Sequence, residues 1–247
     1  MQAPVLILGA SGTLGGAIAM ELSNLGHALV LHGNQNAAGL NSLLNVCAEA
    51  EIITADLTDE GLVHELFSNL GNKYSCLSGV VFCVAKKFSS KLTHRTSWNA
   101  FEEQIDSQLK TAHLCLSAAQ PLLKAYGETG TARVLIISTE YTLGQPPIKT
   151  APYVAAKAAL NTYAQVIAQE WLGHNIRVQI MAPGMIPSNL TSDLPDMYLE
   201  QVAEGMPEKC LTKLEDVTKV AGFLMSEAAD TLYGTIVPVT RGVRKLN

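Results

Sequence analysis

Val5-Leu6-Ile7-Leu8-Gly9-Ala10-Ser11-Gly12-Thr13-Leu14-Gly15-Gly16 is the stretch that decides the architecture of this chain. Four consecutive apolar residues suit a strand buried on both faces, the habit of parallel sheets. Glycines follow at once, and after them a run rich in Ala, Met and Leu that favours a helix. A glycine turn at a strand-to-helix junction lets the backbone bend sharply and approach a pyrophosphate. The helix N-terminus adds unpaired N–H groups and the positive end of its dipole. Gly9, Ser11, Gly12, Thr13, Leu14 and Gly15 are therefore the expected dinucleotide cradle.

The same alternation continues along the chain. Apolar runs at 5–8, 28–32, 51–54, 79–84, 133–138, 177–181 and 236–239 read as strands. Helical patterns fill the gaps at 14–25, 40–48, 60–70, 98–123, 153–172 and 214–226. Strand–helix alternation predicts an α/β fold: one Rossmann-type domain over 1–247, doubly wound, with a mostly parallel seven-stranded sheet and helices on both faces. Segment 184–211 breaks the rhythm with Pro187, Pro195 and Pro207. Placed after a strand's carboxyl end, it is positioned to cover a ligand crevice.

Composition narrows the function. Of 247 residues, 48% are hydrophobic and 16% charged, enough for a sizeable core. The net charge is -5 and the basic residues are scattered, so no stripe exists to neutralise nucleic-acid phosphates. Mean hydropathy is +0.19. No apolar run approaches the ~20 residues a membrane span requires. The N-terminus lacks a basic region and a cleavage site, so the expected location is cytoplasmic. Five cysteines without a C-x-x-C step fit reduced thiols, with Cys83 and Cys115 in core-like segments. The six histidines stand apart from each other and from acids at ligand spacing, so no metal site is expected.

The second strand bears on the cofactor. A carboxylate at its end would grip a ribose 2′-OH, but the sequence there is Leu31-His32-Gly33-Asn34-Gln35-Asn36. A 2′-phosphate would meet no like charge, and Asn34 and Ser11 can donate to it. This favours NADP(H) over NAD(H), with Lys86 a cation that could reach the phosphate from elsewhere. Asp56-Leu57 follows the third strand, where the carboxylate either accepts from an adenine amino group or caps the next helix.

Tyr153 and Lys157 share one face of the helix opened by Ala151-Pro152, four residues apart. A phenol titrates near ~10 and transfers protons poorly at neutral pH. A neighbouring ammonium favours the phenolate and brings it toward working range.

Together these motifs make the chain resemble the short-chain dehydrogenase/reductase family, in the compact branch that includes β-ketoacyl-carrier-protein reductases. The resemblance spans nearly the whole chain. It rests on Gly9, Gly12 and Gly15, on Asp56, on Tyr153/Lys157, and on Ala182-Pro183-Gly184-Met185-Ile186-Pro187-Ser188. It implies that Tyr153 donates a proton to a carbonyl and that Lys157 lowers the phenol pKa and binds the nicotinamide ribose. It implies further that a hydroxyl at the end of the preceding strand holds the substrate oxygen, and that Pro183, Gly184, Ile186 and Ser188 contact the cofactor. In this family the helices at 98–123 and 153–172 build a two-fold interface, which implies a homodimer or homotetramer. Apolar residues on more than one face agree with that: Ala112, Leu114, Leu116, Ala118, Ala159, Leu160, Val166 and Ile167.

Several positions depart from the family pattern. The glycine spacing is G-x-x-G-x-x-G, closer to the branch acting on sugar nucleotides. The family's Asn-Asn-Ala-Gly becomes Cys83-Val84-Ala85-Lys86, retaining only Ala85. The helix Asn of the water relay falls on Gln108. The substrate-binding Ser aligns with Thr139, with Ser138 the alternative in a shifted register. Asp-Gly-Gly near the end becomes Thr240-Arg241-Gly242. Enoyl reductases of the superfamily space Tyr and Lys more widely, and no Tyr stands at the required distance before Lys157. The leading expectation is NADP(H)-dependent reduction of a 3-oxoacyl thioester, free or carrier-linked. A sugar or other pathway-specific ketone is one alternative, and a degenerate cofactor-binding partner subunit is the other. Lys149 or Lys209 could attract an anionic carrier.

Overall fold

The structure, a computed structural model, describes residues 2–34 and 38–242. Seven strands form one sheet: β1 (Val5–Leu8), β2 (Leu29–Gly33), β3 (Ala50–Thr54), β4 (Gly79–Phe82), β5 (Ala132–Ile137), β6 (Ile176–Pro183) and β7 (Ile236–Val239). Their order is β3-β2-β1-β4-β5-β6-β7. Every neighbouring pair is parallel, so the expected mostly parallel sheet is wholly so. Strand order reverses between β1 and β4, which opens a crevice at the carboxyl ends of the strands.

Side-chain alternation along the strands builds two cores. Leu6, Leu8, Val80, Phe82, Val134 and Ile136 face one side. There they pack under α3 (Glu60–Lys73), α5 (Thr111–Gly127) and α6 (Ala151–Glu170). Val5, Ile7, Val81, Leu135 and Ile137 face the other side, under α1 (Thr13–Asn24) and α8 (Leu214–Leu224), with α7 (Asp196–Glu204) lying in the segment between β6 and α8. The second core is completed by α2 (Ala38–Leu44), whose Leu40 and Leu43 are buried. Among the described residues no helix is long and apolar enough to cross a membrane.

One expected helix divides. The pattern at 98–123 forms α4 (Trp98–Ile105), a π-helical turn at Asp106–Lys110, and α5. The Thr111 N–H closes the wider turn onto the Asp106 carbonyl, and the buried Thr111 hydroxyl donates to the same oxygen at 2.8 Å. A single wide turn inside a long helical pattern carries no residue signature of its own. Many of the apolar residues expected at a subunit interface serve this chain's own core. Ala112, Leu116, Leu160 and Ile167 are buried, whereas Val166 is 46% exposed.

Candidate active site

Four strand ends converge on one crevice. The glycine turn follows β1, Cys83-Val84-Ala85 follows β4, Ser138-Thr139 follows β5, and Gly184 follows β6. A cavity of about 780 Å³ runs between them. Gly12, Thr13, Leu14 and Gly15 line one end, and Ala85, Ser138, Thr139, Tyr153, Lys157, Pro183, Gly184, Ile186 and Ser188 line the rest. These thirteen expected site residues therefore share one space.

The glycine turn fits a pyrophosphate. Gly9 has φ +86, and a Cβ there would lie 2.8 Å from the Cys83 carbonyl oxygen. A Cβ on Gly15 would collide with the Gly9 carbonyl. Gly12 is the N-cap of α1, no side chain caps its first turn, and no acid stands there. The free N–H groups and the dipole's positive end face the cavity mouth as an anion-binding surface. Opposite them lies the covering segment, whose Asn189 N–H donates to Thr13 Oγ1 at 3.4 Å.

Tyr153, Lys157 and Asn161 lie on one face of α6 and all are buried. The Lys157 ammonium is 2% exposed and donates to the Ile137 carbonyl at 2.7 Å. Burial lowers its pKa to about 8, opposed by the neighbouring Cys83 thiol. Burial also raises the Tyr153 phenol above its usual range, and a hydrogen bond with the Thr139 side chain pulls it back. In this arrangement the ammonium rests on the Ile137 carbonyl. Both candidate hydroxyls line the cavity. Thr139 Oγ1 accepts from the Tyr141 N–H at 3.4 Å, and the buried Ser138 hydroxyl has no partner among the described residues. Thr139→Val is expected to lower kcat by about 10²-fold, the cost of one lost hydrogen-bond donor at a reacting oxygen. Ser138→Ala should change it by less than about tenfold. Steady-state rates for the pair check the assignment.

Other expected positions lie outside the cavity lining. Asp56 caps no helix: its Oδ1 accepts from the Thr58 N–H at 2.9 Å and the Thr58 hydroxyl at 2.7 Å. Asp59, three residues on, is the N-cap of α3 and accepts from Leu62 N–H. Leu57 is buried in the core. Asn34 is exposed beyond β2, and residues 35–37 lie outside the described residues. Lys86 does not reach toward the cradle, because its ammonium pairs with Glu103 on α4 at 3.0 Å. Gln108 sits in the π-turn, fully buried, and donates to Gln104 Oε1 at 2.7 Å. Gln104 in turn donates to the carbonyls of Lys86 and Lys87 at 3.4 and 3.3 Å. The two amides thus hold the loop after β4 and do not touch Lys157. Cys83 packs against the core, as expected, and also lines the cavity, and burial pushes its thiol up to about 12.

Three contacts could not be read from the sequence. The Phe88 ring stacks on the Tyr153 ring, with centroids 4.7 Å apart and planes at 16°. Lys87 beside it reaches Ser192 at 2.8 Å and Asp193 at 2.9 Å, tying the loop to the covering segment. Arg241 grips Asp216 with two nitrogens and Glu208 with a third at 2.8 Å. It fastens the end of the covering segment to the first turn of α8, a bidentate pairing suited to a guanidinium. Near the mouth, Lys149 lines the cavity, whereas Lys209 donates to the Glu204 carbonyl at 2.7 Å. Among the described residues no group of three or more His, Cys, Asp or Glu could hold a metal.

A parallel sheet with a glycine cradle, a buried Tyr/Lys pair and a facing hydroxyl defines a nicotinamide-dependent oxidoreductase. A family model described as Enoyl-(Acyl carrier protein) reductase matches residues 9–244. The chain belongs to the short-chain dehydrogenase/reductase family and is an NAD(P)-dependent enzyme of it. It is 30% identical to the 3-oxoacyl-[acyl-carrier-protein] reductase FabG of Rickettsia conorii, over 96% of this chain and 95% of that one. Among solved structures, the Pseudomonas aeruginosa RhlG/NADP active-site complex superposes with a TM-score of 0.90 at 22% identity. That match covers 98% of this chain and 96% of RhlG. YwfH, an NADPH dependent reductase involved in bacilysin biosynthesis, superposes at 0.87 with 20% identity and covers 99% of each chain.

Proposed function

We propose that this enzyme is an NADPH-dependent ketoreductase that converts a 3-oxoacyl thioester to its 3-hydroxy product. The observation that carries the substrate class is the apolar wall beside the phenol. Tyr141, Tyr153 and Met185 form a buried cluster, with Phe88, Leu190 and Leu194 packed against it. A sugar ketone needs donors and acceptors for each hydroxyl, and burying those hydroxyls against such a wall is costly. An acyl chain loses nothing there. The Rickettsia relative, a 3-oxoacyl-[acyl-carrier-protein] reductase, supports the same choice. The absence of a carboxylate after β2, the RhlG/NADP complex and the NADPH dependent YwfH support NADPH.

The glycine turn and the α1 N-terminus would hold the pyrophosphate, with Pro183, Gly184, Ile186 and Ser188 beside the nicotinamide. When bound, the reduced nicotinamide supplies the hydride. Thr139 orients the substrate oxygen toward Tyr153. The phenol releases its proton to that oxygen as negative charge develops, so no free alkoxide forms. The Lys157 ammonium stabilises the resulting phenolate once drawn from Ile137. Phe88 and the covering segment exclude water from the reacting centre.

Acetoacetyl thioester should be reduced with NADPH in preference to NADH, and a ketohexose should be inert. Turnover of the ketohexose with an inert thioester would reverse the assignment.

A further inference from the structure

Asn161 stands two helical turns after Tyr153 on the face that carries Lys157, and its side chain is 5% exposed. Its Nδ2 donates to Thr142 Oγ1 at 2.9 Å. The Thr142 hydroxyl donates onward to the Thr139 carbonyl at 2.8 Å, and the Thr142 N–H reaches the same oxygen at 3.2 Å. The donor order is therefore fixed from α6 to the loop after β5. With Lys157 on the Ile137 carbonyl and Asn161 on Thr142, α6 holds the end of β5 and the loop after it at two points. The Asn161 Oδ1, also buried, has no partner among the described residues. Packing alone would place an apolar residue at such a position, because an unpaired buried carbonyl is costly. Among the described residues, the amide's one hydrogen bond is the one its nitrogen makes to Thr142.

We propose that Asn161 is a positioning residue that acts through Thr142 to set the Thr139 hydroxyl against the Tyr153 phenol. The chain Asn161–Thr142–Thr139 makes the helix carrying the proton donor the brace for the hydroxyl opposite. This rests on the proposed roles of Tyr153 and Thr139. It goes beyond them by assigning a residue that touches neither substrate nor cofactor.

A double-mutant cycle tests it. Asn161→Leu should lower kcat by about 10- to 100-fold, the range expected when a catalytic group is displaced by a fraction of an ångström. KM for NADPH should stay within about twofold. Thr142→Val should repeat the effect, and Thr142→Ser, which keeps the hydroxyl, should restore the rate. In a Thr139→Val background, Asn161→Leu should cost almost nothing more, because the group it positions is gone. Full additivity of the two losses, or an unchanged kcat in both Asn161→Leu and Thr142→Val, would overturn the brace. If Asn161→Leu does not fold, the Thr142 pair and its cycle with Thr139→Val decide alone. If Thr139→Val itself leaves kcat intact, the fault lies in the assignment of the catalytic hydroxyl, a result distinct from failure of the brace.

Discussion

Tyr153→Phe is expected to cut carbonyl turnover by about 10²- to 10⁴-fold, the usual contribution of a general acid. Dinucleotide binding should be preserved. The phenol is the hydroxyl that α6 presents to the cavity, opposite Thr139. Phenylalanine keeps the ring that stacks on Phe88, so the fold and the cavity wall remain. Only the transferable proton is lost. Steady-state kcat against a ketone, with nucleotide affinity from quenching of protein fluorescence, separates the two effects. A variant that retained turnover would require a proton donor other than this phenol.

Lys157→Met should show two linked effects. The first is on rate: kcat/KM should fall by about 10²-fold or more, because the phenolate left by proton transfer loses its counter-charge. In the wild type, kcat/KM reports the free enzyme. It should therefore decline as pH rises past about 8, where the lysine loses its proton. The second effect is on stability. Folding lowers this pKa from 10.5 to about 8, so between those values the unfolded chain binds more protons than the folded one. Wild-type stability therefore gains with rising pH across that window, and below it the cost of a buried charge is fully present. The Met variant has no such gain. Relative to the variant, the wild type should gain roughly 3 kcal/mol between pH 8 and 10.5. Urea unfolding at the two ends of that window measures it. A constant difference across the window would mean that Lys157 is not a buried cation in the nucleotide-free enzyme.

The legible parts of this molecule were those written in local pattern. Apolar runs located all seven strands, and two, Val5–Leu8 and Ile236–Val239, matched to the residue. The glycine turn and the Tyr153/Lys157 face were legible because each is a short-range motif with fixed spacing. Contacts across the sequence were not. Local pattern could not choose between Thr139 and Ser138, and both line the cavity beside Tyr153. Asp56 and Asp59 both follow β3, and only backbone geometry makes the second the helix cap. Lys86 had a possible target in the cofactor, and the fold sets Glu103 of α4 beside it. Arg241 stood out as a departure from the family pattern and proved to be a clamp, since its acidic partners precede it by 25 and 33 residues. Phe88 and Asn161 carry no motif at all. Their importance comes from what they touch.

The family model bears an enoyl reductase description, whereas the curated relative reduces a 3-oxoacyl group. The Tyr153/Lys157 spacing and the Thr139 contact favour the carbonyl. One competition experiment decides between them. Acetoacetyl and crotonyl thioesters are offered together with NADPH deuterated at its transferable position, and the products are weighed by mass spectrometry. Deuterium on the carbinol carbon of 3-hydroxybutyryl thioester, with the crotonyl thioester unreacted, is the predicted result. Deuterium in a saturated butyryl thioester, with acetoacetyl thioester unchanged, would contradict carbonyl reduction at this site.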